Sequence, residues 1–104
     1  MKAIAPRPAA LPAGFALHPA FPNPFNPETA LRLEVPVPAR VTLAIYDVAG
    51  RRVRTLLDGP VVAGPHTALW DGRDDAGRPV ASGIYVAWLR APGRDHERKM
   101  LLLR

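Results

Sequence analysis

The sequence predicts an all-β fold: an antiparallel β-sandwich of about seven strands, preceded by an extended proline-rich N-terminal segment. Three observations support this prediction. The 104 residues include thirteen prolines and eight glycines, which oppose long helices and suit short strands joined by turns. Apolar and polar residues alternate from residue 28 onward, and turn-forming residues recur about every 8 to 12 positions, as expected for a sandwich.

Residues 1–19 are predicted to form a linker or arm, and residues 20–104 the folded domain. Seven prolines fall within residues 1–27, so this stretch should be extended and polyproline-like. A linker is the usual interpretation of such composition. However, Phe15, Leu17, Phe21 and Phe25 make the stretch more apolar than a solvated spacer requires. The alternative is that it lies along the domain or along a neighbour.

The strands are predicted from alternation with a period of two. Leu31, Leu33 and Val35 alternate with Arg32 and Glu34, which is typical of a half-buried strand. Residues 47–50 predict a hairpin turn that begins with a capping aspartate and ends with a left-handed glycine. Further turns are expected at residues 58–60 and 63–65. The expected strands cover residues 31–35, 41–46, 51–57, 66–70, 84–91 and 97–103, with a short edge piece at 61–62. This spacing is typical of an immunoglobulin-like sandwich.

The connection between residues 70 and 85 has the most particular residue order in the chain. Trp70 closes one strand and is expected in the core, where an indole buries about 150–250 Å². Asp71 and Gly72 are expected to stop that strand, because aspartate bonds its downstream backbone and glycine accepts positive φ. The predicted turn and core motif comprises Trp70, Asp71, Gly72, Gly77, Gly83 and Tyr85.

Three carboxylates in this connection raise the question of a metal site. Asp71, Asp74 and Asp75 could suggest a calcium loop, since calcium takes several oxygen ligands. Arg73 and Arg78 lie among them, and turn capping is the commoner use of aspartate. We therefore predict no metal site.

Few residues offer catalytic chemistry. The three histidines are scattered without metal-ligand spacing, and Ser82, the only serine, lacks the context of a nucleophile elbow. Paired carboxylates would need a cleft that a small sandwich seldom offers. Without cysteine the chain has no disulfide framework and no thiolate chemistry. We predict no enzyme activity, no catalytic residue and no cofactor.

The charge predicts an anionic surface or an acidic protein as a partner. The net charge is +5 and the isoelectric point about 10.7. Arg51, Arg52 and Arg54 form the densest basic cluster, and the simpler interpretation is a solvated face that discourages edge pairing. The alternative is contact with anionic lipopolysaccharide or an acidic receptor. A nucleic-acid partner is not predicted, because the aromatics do not interleave with the arginines.

The sequence also bears on location. No run of eighteen apolar residues is present, so the chain is not predicted to span a membrane. Its first six residues lack the hydrophobic region of a signal peptide. We expect either that the chain works where it is made or that it is part of a longer exported protein with an added Met1.

The last predicted strand is the best candidate for recognition. Arg98 and Lys99 are followed by Met100 and Leu102, apolar residues near a chain end, where disorder is common. The strand could simply complete a sheet. The alternative is that these four residues form a docking surface that a partner reads by strand addition.

Two sets of motifs resemble known families over about residues 20–104. The first resembles the type A C-terminal sorting domain of type IX secretion cargo. The second is similar to the Ig-like module of the flagellar hook-capping protein family, and the two families overlap in fold. The first set consists of Pro22-Asn23-Pro24-Phe25-Asn26-Pro27, Ile45-Tyr46-Asp47, Gly50-Arg51 and Val53; the second of Gly64-Pro65-His66, Trp70-Asp71-Gly72, Gly77 and Ser82-Gly83-Ile84-Tyr85.

The resemblance implies a function. A type IX cargo crosses the outer membrane because the translocon recognises its folded terminal domain, and a sortase-like peptidase often links the cargo to lipopolysaccharide. The first expectation is a non-catalytic sorting module, exported to the periplasm and then to the outer surface or beyond. Its partners would be the secretion translocon or like subunits. The alternative is a structural Ig-like subunit of an extracellular filament or flagellar-type appendage, assembling through its N-terminal arm.

Overall fold

The computed structural model describes residues 13–104, and every regular element in this part of the chain is a β-strand. Hydrogen bonds between the strands form two antiparallel sheets. A three-stranded sheet has the order β1-β2-β5, and a four-stranded sheet has the order β4-β3-β6-β7. The strands are β1 (Ala16–Leu17), β2 (Thr29–Val35), β3 (Ala39–Asp47), β4 (Arg52–Val61), β5 (Gly64–Trp70), β6 (Gly83–Ala91) and β7 (Arg94–Leu102).

The alternating residues put one face of each sheet into a shared core. In β2, Leu31, Leu33 and Val35 are fully buried, while Arg32 between them is exposed. Each fully buried leucine contributes about 1.5–3 kcal/mol through loss of apolar surface to water. The four-stranded sheet supplies the other half of the core, chiefly Val41, Leu43, Ile45, Tyr85, Ala87, Leu89, Met100 and Leu102. The predicted all-β sandwich is confirmed.

The predicted turn at residues 58–60 is wrong. Asp58, Gly59 and Pro60 continue β4 and pair with Thr42, Val41 and Arg40 of β3. β4 is an edge strand of its sheet. Proline is tolerated there because no further strand needs the amide hydrogen that it lacks. The predicted edge piece at 61–62 is the end of this strand and the residue after it.

The predicted turn at residues 63–65 is also displaced. Gly64 and Pro65 already pair with Val35 and Glu34 of β2, so β5 begins at Gly64 rather than at His66. The chain therefore passes from β4 in one sheet to β5 in the other through Val62 and Ala63 alone.

The folded domain begins ahead of the boundary predicted at residue 20. Ala16 and Leu17 form β1 and pair with Glu34 and Leu33 of β2. Leu17 is 3% exposed, so burial of its side chain explains why a stretch assigned to the linker joins the sheet. The predicted linker residues 1–12 lie outside the described part of the chain.

Two turns share the pattern Asp-x-Ala-Gly-Arg and the same geometry. In residues 47–51 the Asp47 carboxylate accepts the backbone N–H groups of Ala49 at 3.0 Å and Arg51 at 2.9 Å. In residues 74–78 the Asp74 carboxylate accepts the equivalent N–H groups at 3.0 and 2.9 Å. The glycine of each turn has φ near +80° (83° and 82°), a conformation that glycine adopts without steric cost.

Candidate docking surface

Trp70 lies at the centre of an aromatic cluster that joins three distant parts of the chain. Its indole is fully buried and packs between the rings of Phe25 and Tyr85, with centroid distances of 5.5 and 5.1 Å. The indole N–H donates to the carbonyl of Arg73 at 2.9 Å. Tyr85 donates its hydroxyl to the carbonyl of Ala81 at 2.6 Å, and burial raises its pKa. The cluster is a structural centre, as the sequence predicts for Trp70.

The carboxylates of the 70–85 connection bind the protein's own groups. Asp71 accepts the backbone N–H of Arg73 at 3.1 Å and the guanidinium of Arg54 at 3.2 Å. Asp75 accepts the backbone N–H of Thr55 at 3.0 Å and lies 3.9 Å from Arg52. Within residues 13–104 no three histidine or acidic side chains are grouped closely enough to hold a metal ion.

These ion pairs change the interpretation of the basic cluster. Arg52 and Arg54 are directed toward carboxylates of the connection, and Arg51 lies 3.1 Å from Asp47 in its own turn. All three guanidinium groups therefore have an acidic neighbour within the domain. Their positive charge is partly compensated before any partner arrives.

Gly72 is held beneath the C-terminal arginine. Arg104 donates to the carbonyls of Gly72 at 2.5 Å and Val80 at 2.6 Å, and its backbone N–H donates to Ser82 Oγ at 2.8 Å. A Cβ at Gly72 would come within 2.9 Å of the Arg104 guanidinium and 3.1 Å of the Pro27 carbonyl. Glycine is thus required here by close approach as well as by its φ of +73°.

The docking role predicted for Met100 and Leu102 is wrong. Both side chains lie in the core, at 2% and 0% exposure, because alternation in β7 directs them inward. Arg98 and Lys99 are exposed, and the Arg98 guanidinium donates to the Leu17 carbonyl at 2.8 Å. Of the four predicted docking residues, only the two cations remain available to a partner.

The outer edge of β7 is already occupied near its end. Phe25 donates its N–H to the Leu101 carbonyl and accepts the Leu103 N–H, each at 3.0 Å. The Asn23 side chain accepts the Leu101 N–H at 2.9 Å and donates to the Lys99 carbonyl at 3.4 Å. The segment 23–25 therefore takes the place that an added strand would need, and strand addition at this end of β7 is excluded while the segment is bound.

A groove on the outer face of the four-stranded sheet is the better candidate. Tyr46 and Trp88 stand side by side across β3 and β6, with ring centroids 5.5 Å apart and planes tilted by 57°. Ile84 and Val86 extend the floor along β6, and Val48 stands in the adjacent turn. The groove has a volume of about 390 Å³, and Val48 and Ile84 are 78% and 50% exposed.

Polar contacts fix the aromatic wall of this groove. The Trp88 indole N–H donates to the Asp95 carboxylate at 3.0 Å, and the Arg90 guanidinium lies 5.2 Å from the indole centroid, within cation–π range. Glu97 and Lys99 line the β7 side. A rigid apolar floor with a polar rim is typical of protein-docking surfaces.

Sequence reasoning missed this groove, although the signal was present. Tyr85, Ala87 and Leu89 are the inward residues of β6, so the intervening Val86 and Trp88 must face outward. A large apolar side chain on the outer face of a sheet can indicate a binding surface. Recognising that it stands beside Tyr46 required the pairing register of β3 and β6, which places Tyr46 opposite Val86 and Ala44 opposite Trp88.

Comparison with known proteins places the domain in a family. A sequence model of the FlgD Ig-like domain matches residues 23–91, which include the segment 23–25, the aromatic cluster and the parts of the groove on β3 and β6. The chain belongs to the FlgD Ig-like domain family. This confirms the resemblance read from the two sets of motifs.

The relatives that match this chain include basal-body rod modification proteins. The chain is 45% identical over 58 residues to the basal-body rod modification protein FlgD of Salmonella typhimurium, and equally to that of Salmonella typhi. The match covers 55% of this chain and 25% of each relative. The chain thus spans a quarter of the length of these relatives. The family is a structural rather than a catalytic one.

Several solved structures are similar to this chain in fold. Dimeric latent PorU of Porphyromonas gingivalis is 26% identical with a TM-score of 0.59, covering 81% of this chain and 9% of that one. FlgD of P. aeruginosa is 25% identical with a TM-score of 0.56, covering 71% and 59%. PorZ of Porphyromonas gingivalis shares the fold, with 22% identity, a TM-score of 0.57, and coverage of 88% and 12%.

No helix within residues 13–104 has the length and apolar composition needed to cross a membrane.

Proposed function

We propose that this FlgD Ig-like domain is a non-catalytic C-terminal sorting module, recognised by the type IX secretion machinery and exported with its cargo to the outer surface. The observation that carries the proposal is the aromatic groove on the outer face of β3, β6 and β7. The fold does not need Trp88 and Tyr46 on a solvent face, whereas a receptor could use them as anchors, since tryptophan and tyrosine are enriched at binding hot spots.

The likeness to secretion components supports the same proposal. PorZ is described as an essential bacterial surface component of the type IX secretion system, and the fold that it shares with this chain is therefore present in that machinery. Lys99 stands at the rim of the groove beside Glu97. Arg98 does not line the groove, because its guanidinium binds the Leu17 carbonyl of the other sheet. Charges of both signs at a rim fix the orientation of a partner on the apolar floor.

Delivery of a reporter tests the proposal. The full chain is fused to the C-terminus of an exported reporter and expressed in a type IX-competent strain and in its isogenic translocon-deficient strain. We expect reporter on the cell surface of the first strain and in the periplasm of the second. Periplasmic retention in both strains would contradict the sorting role.

Two variants locate the recognised face. Trp88→Ala removes the larger wall of the groove, and we expect it to reduce surface delivery strongly. Val62→Ala truncates an exposed side chain in the connection from β4 to β5, far along the chain from the groove, and should leave delivery unchanged. Thermal unfolding of both purified chains checks that any loss of delivery is not caused by loss of the fold.

Contact between the basic cluster and lipopolysaccharide is not needed for this proposal. Arg51, Arg52 and Arg54 each have an acidic neighbour in the domain, so their field is partly neutralised. Surface attachment by covalent linkage would not need this cluster. We expect the triple replacement of these arginines by glutamine to affect stability more than attachment.

A further inference from the structure

We propose that copies of this domain associate head to tail, with Phe21 of one copy inserted into the aromatic groove of the next. This inference goes beyond the sorting role and does not depend on it, but it uses the same groove, so a second copy and a receptor would compete for that surface. It joins two surfaces on opposite sheets of the sandwich: an exposed aromatic side chain held rigidly on one face, and an apolar groove of matching character on the other.

Phe21 is the most exposed large apolar side chain in the described part of the chain. Its side chain is 80% exposed, yet its backbone is fixed, because its N–H and C=O both pair with Ala30 at 3.0 Å. Pro22 follows it and further restricts the chain. A flexible loop could expose a phenylalanine incidentally, but here the fold holds the ring in place in water.

Phe21 belongs to an apolar row that crosses the outer face of the three-stranded sheet. Phe21 pairs with Ala30, and Ala30 pairs with Leu69 of β5, so the three side chains stand next to one another on the same face. Leu69 is 66% exposed. Phe21, at 80% exposure, is the most exposed of the three side chains, and this row is called the ridge below.

The groove on the other sheet fits this ridge in size and character. Its volume of about 390 Å³ lies in the range of roughly 300–1,000 Å³ typical of sites that take up small organic groups. Tyr46 and Trp88 offer ring edges and faces to an incoming phenyl ring, and tilted aromatic contacts are favourable. Ile84 and Val48 of one copy would cover Leu69 of the other.

One pair of opposite charges lies beside the two surfaces, and Asp47 and Glu97 also line the groove. Glu28 is exposed and lies next to Phe21 on the ridge side. Lys99 lies next to Ile84 on the groove side. With Phe21 seated in the groove, Glu28 of one copy and Lys99 of the next would stand at the rim of the contact. Such a rim pair sets orientation and encounter rate more than affinity.

A contact between opposite faces has a definite consequence for assembly. Because the contact joins two different surfaces, each copy at the end of a chain keeps one free ridge or one free groove, and longer chains or closed rings of copies form as concentration rises. We expect weak association in the isolated full chain, detectable at high micromolar concentration, and stronger association where copies are held close together.

Sedimentation equilibrium of the full chain tests the proposal. The wild-type chain should show a weight-average mass that rises with concentration, and Phe21→Ser should raise the dissociation constant about tenfold or more. Val37→Ser is the matched control, because Val37 is also exposed but lies in the turn between β2 and β3. A wild-type chain that stays monomeric at all concentrations, or equal effects of the two variants, would overturn the proposal.

Mixing two blocked variants tests the head-to-tail geometry. Phe21→Ser lacks the ridge but keeps the groove, and Ile84→Glu places a charge in the groove but keeps the ridge. Each alone should be monomeric, and their mixture should form a dimer that does not grow. If Ile84→Glu unfolds, Val48→Asp serves instead, since Val48 is 78% exposed. A mixture that stays monomeric would overturn the proposal.

Discussion

The ring of Phe25 packs against the indole of Trp70, with centroids 5.5 Å apart and planes tilted by 56°. The contact ties the proline-rich segment to the strand that ends the three-stranded sheet. Phe25 is 3% exposed, and its backbone joins β7 through two hydrogen bonds. A segment that composition alone assigns to a linker is therefore part of the core.

Replacing Phe25 by alanine should strongly destabilise the domain. We expect Phe25→Ala to lower the free energy of unfolding by about 3–5 kcal/mol, the usual cost of a large aromatic cavity. Phe21→Ala is the control within the same segment, and its effect should stay within about 0.5 kcal/mol because the side chain is exposed. Urea titration at low protein concentration measures both. Similar losses in the two variants would contradict the assignment of Phe25 to the core.

Replacing Asn23 should loosen the edge of β7 locally. In Asn23→Ala the Leu101 N–H loses its acceptor, and we expect its hydrogen exchange to become about fivefold faster, equivalent to a net loss of about 1 kcal/mol. Asn26→Ala changes an exposed amide in the same segment and should leave that exchange rate unchanged. Unaltered exchange at Leu101 in Asn23→Ala would mean that the side chain does not close the edge in solution.

Comparing alanine substitutions at Gly72 and Gly93 separates two contributions to stability: the backbone conformation and the close approach of neighbouring atoms. Both glycines have positive φ, 73° and 86°, but a Cβ at Gly93 would meet nothing within 4 Å. Each alanine substitution should therefore cost about 1–2 kcal/mol for the left-handed conformation. Gly72→Ala should cost a further 1–3 kcal/mol, roughly, for overpacking against Arg104 and Pro27. Equal losses of unfolding free energy in the two variants, measured by denaturant unfolding, would show that Arg104 and Pro27 move aside at little cost.

The aspartate turns should make stability depend on pH in acid. The backbone N–H of Arg78, the largest effect, holds the pKa of Asp74 below its ordinary value of 3.8, and Arg51 acts likewise on Asp47. A lowered pKa in the folded state means that the stabilisation is fully present above pH 4 or so and is lost as the pH falls through the folded value.

Asparagine variants check this prediction. Asp74→Asn should be less stable than the wild type at pH 7, and the difference in unfolding free energy should shrink as the pH falls below about 4. Asp47→Asn should behave in the same way because its turn has the same hydrogen bonds. A difference that stays constant from pH 7 to pH 2.5, measured by thermal unfolding, would contradict the proposed role of the charged carboxylate.

Much of the fold follows from local signals, and the exceptions have physical causes. Alternation located β2, β3 and β6 because each has one buried face, and the Asp47 turn followed from side-chain capping chemistry. The sequence predicts that Pro60 lies in a turn, but proline is also compatible with a strand at the edge of a sheet. That position is set by the whole topology and not by neighbouring residues.

The candidate site was harder to predict for the same reason. The sequence predicts that Trp70 is a core residue because it ends a run of alternating apolar and polar residues. The residues that define the surface are distant in sequence. Tyr46 and Trp88 are neighbours because of the pairing register of β3 and β6. Phe25 covers the end of β7, although more than seventy residues separate them in the chain. Local patterns carry no information about such pairings, so they left open whether β7 completes a sheet or offers its edge to a partner. In the structure the segment 23–25 covers the end of that edge.

The central functional claim is that the folded exterior of the domain, rather than its terminal sequence, directs export. Its most direct test compares surface delivery of one exported reporter carrying three C-terminal fusions: the full chain, the full chain with Phe25→Asp, and residues 94–104 alone. Delivery is read as reporter cleaved by protease added to intact cells. We predict surface delivery for the full chain only, whereas equal delivery by the short peptide or by Phe25→Asp would contradict the claim.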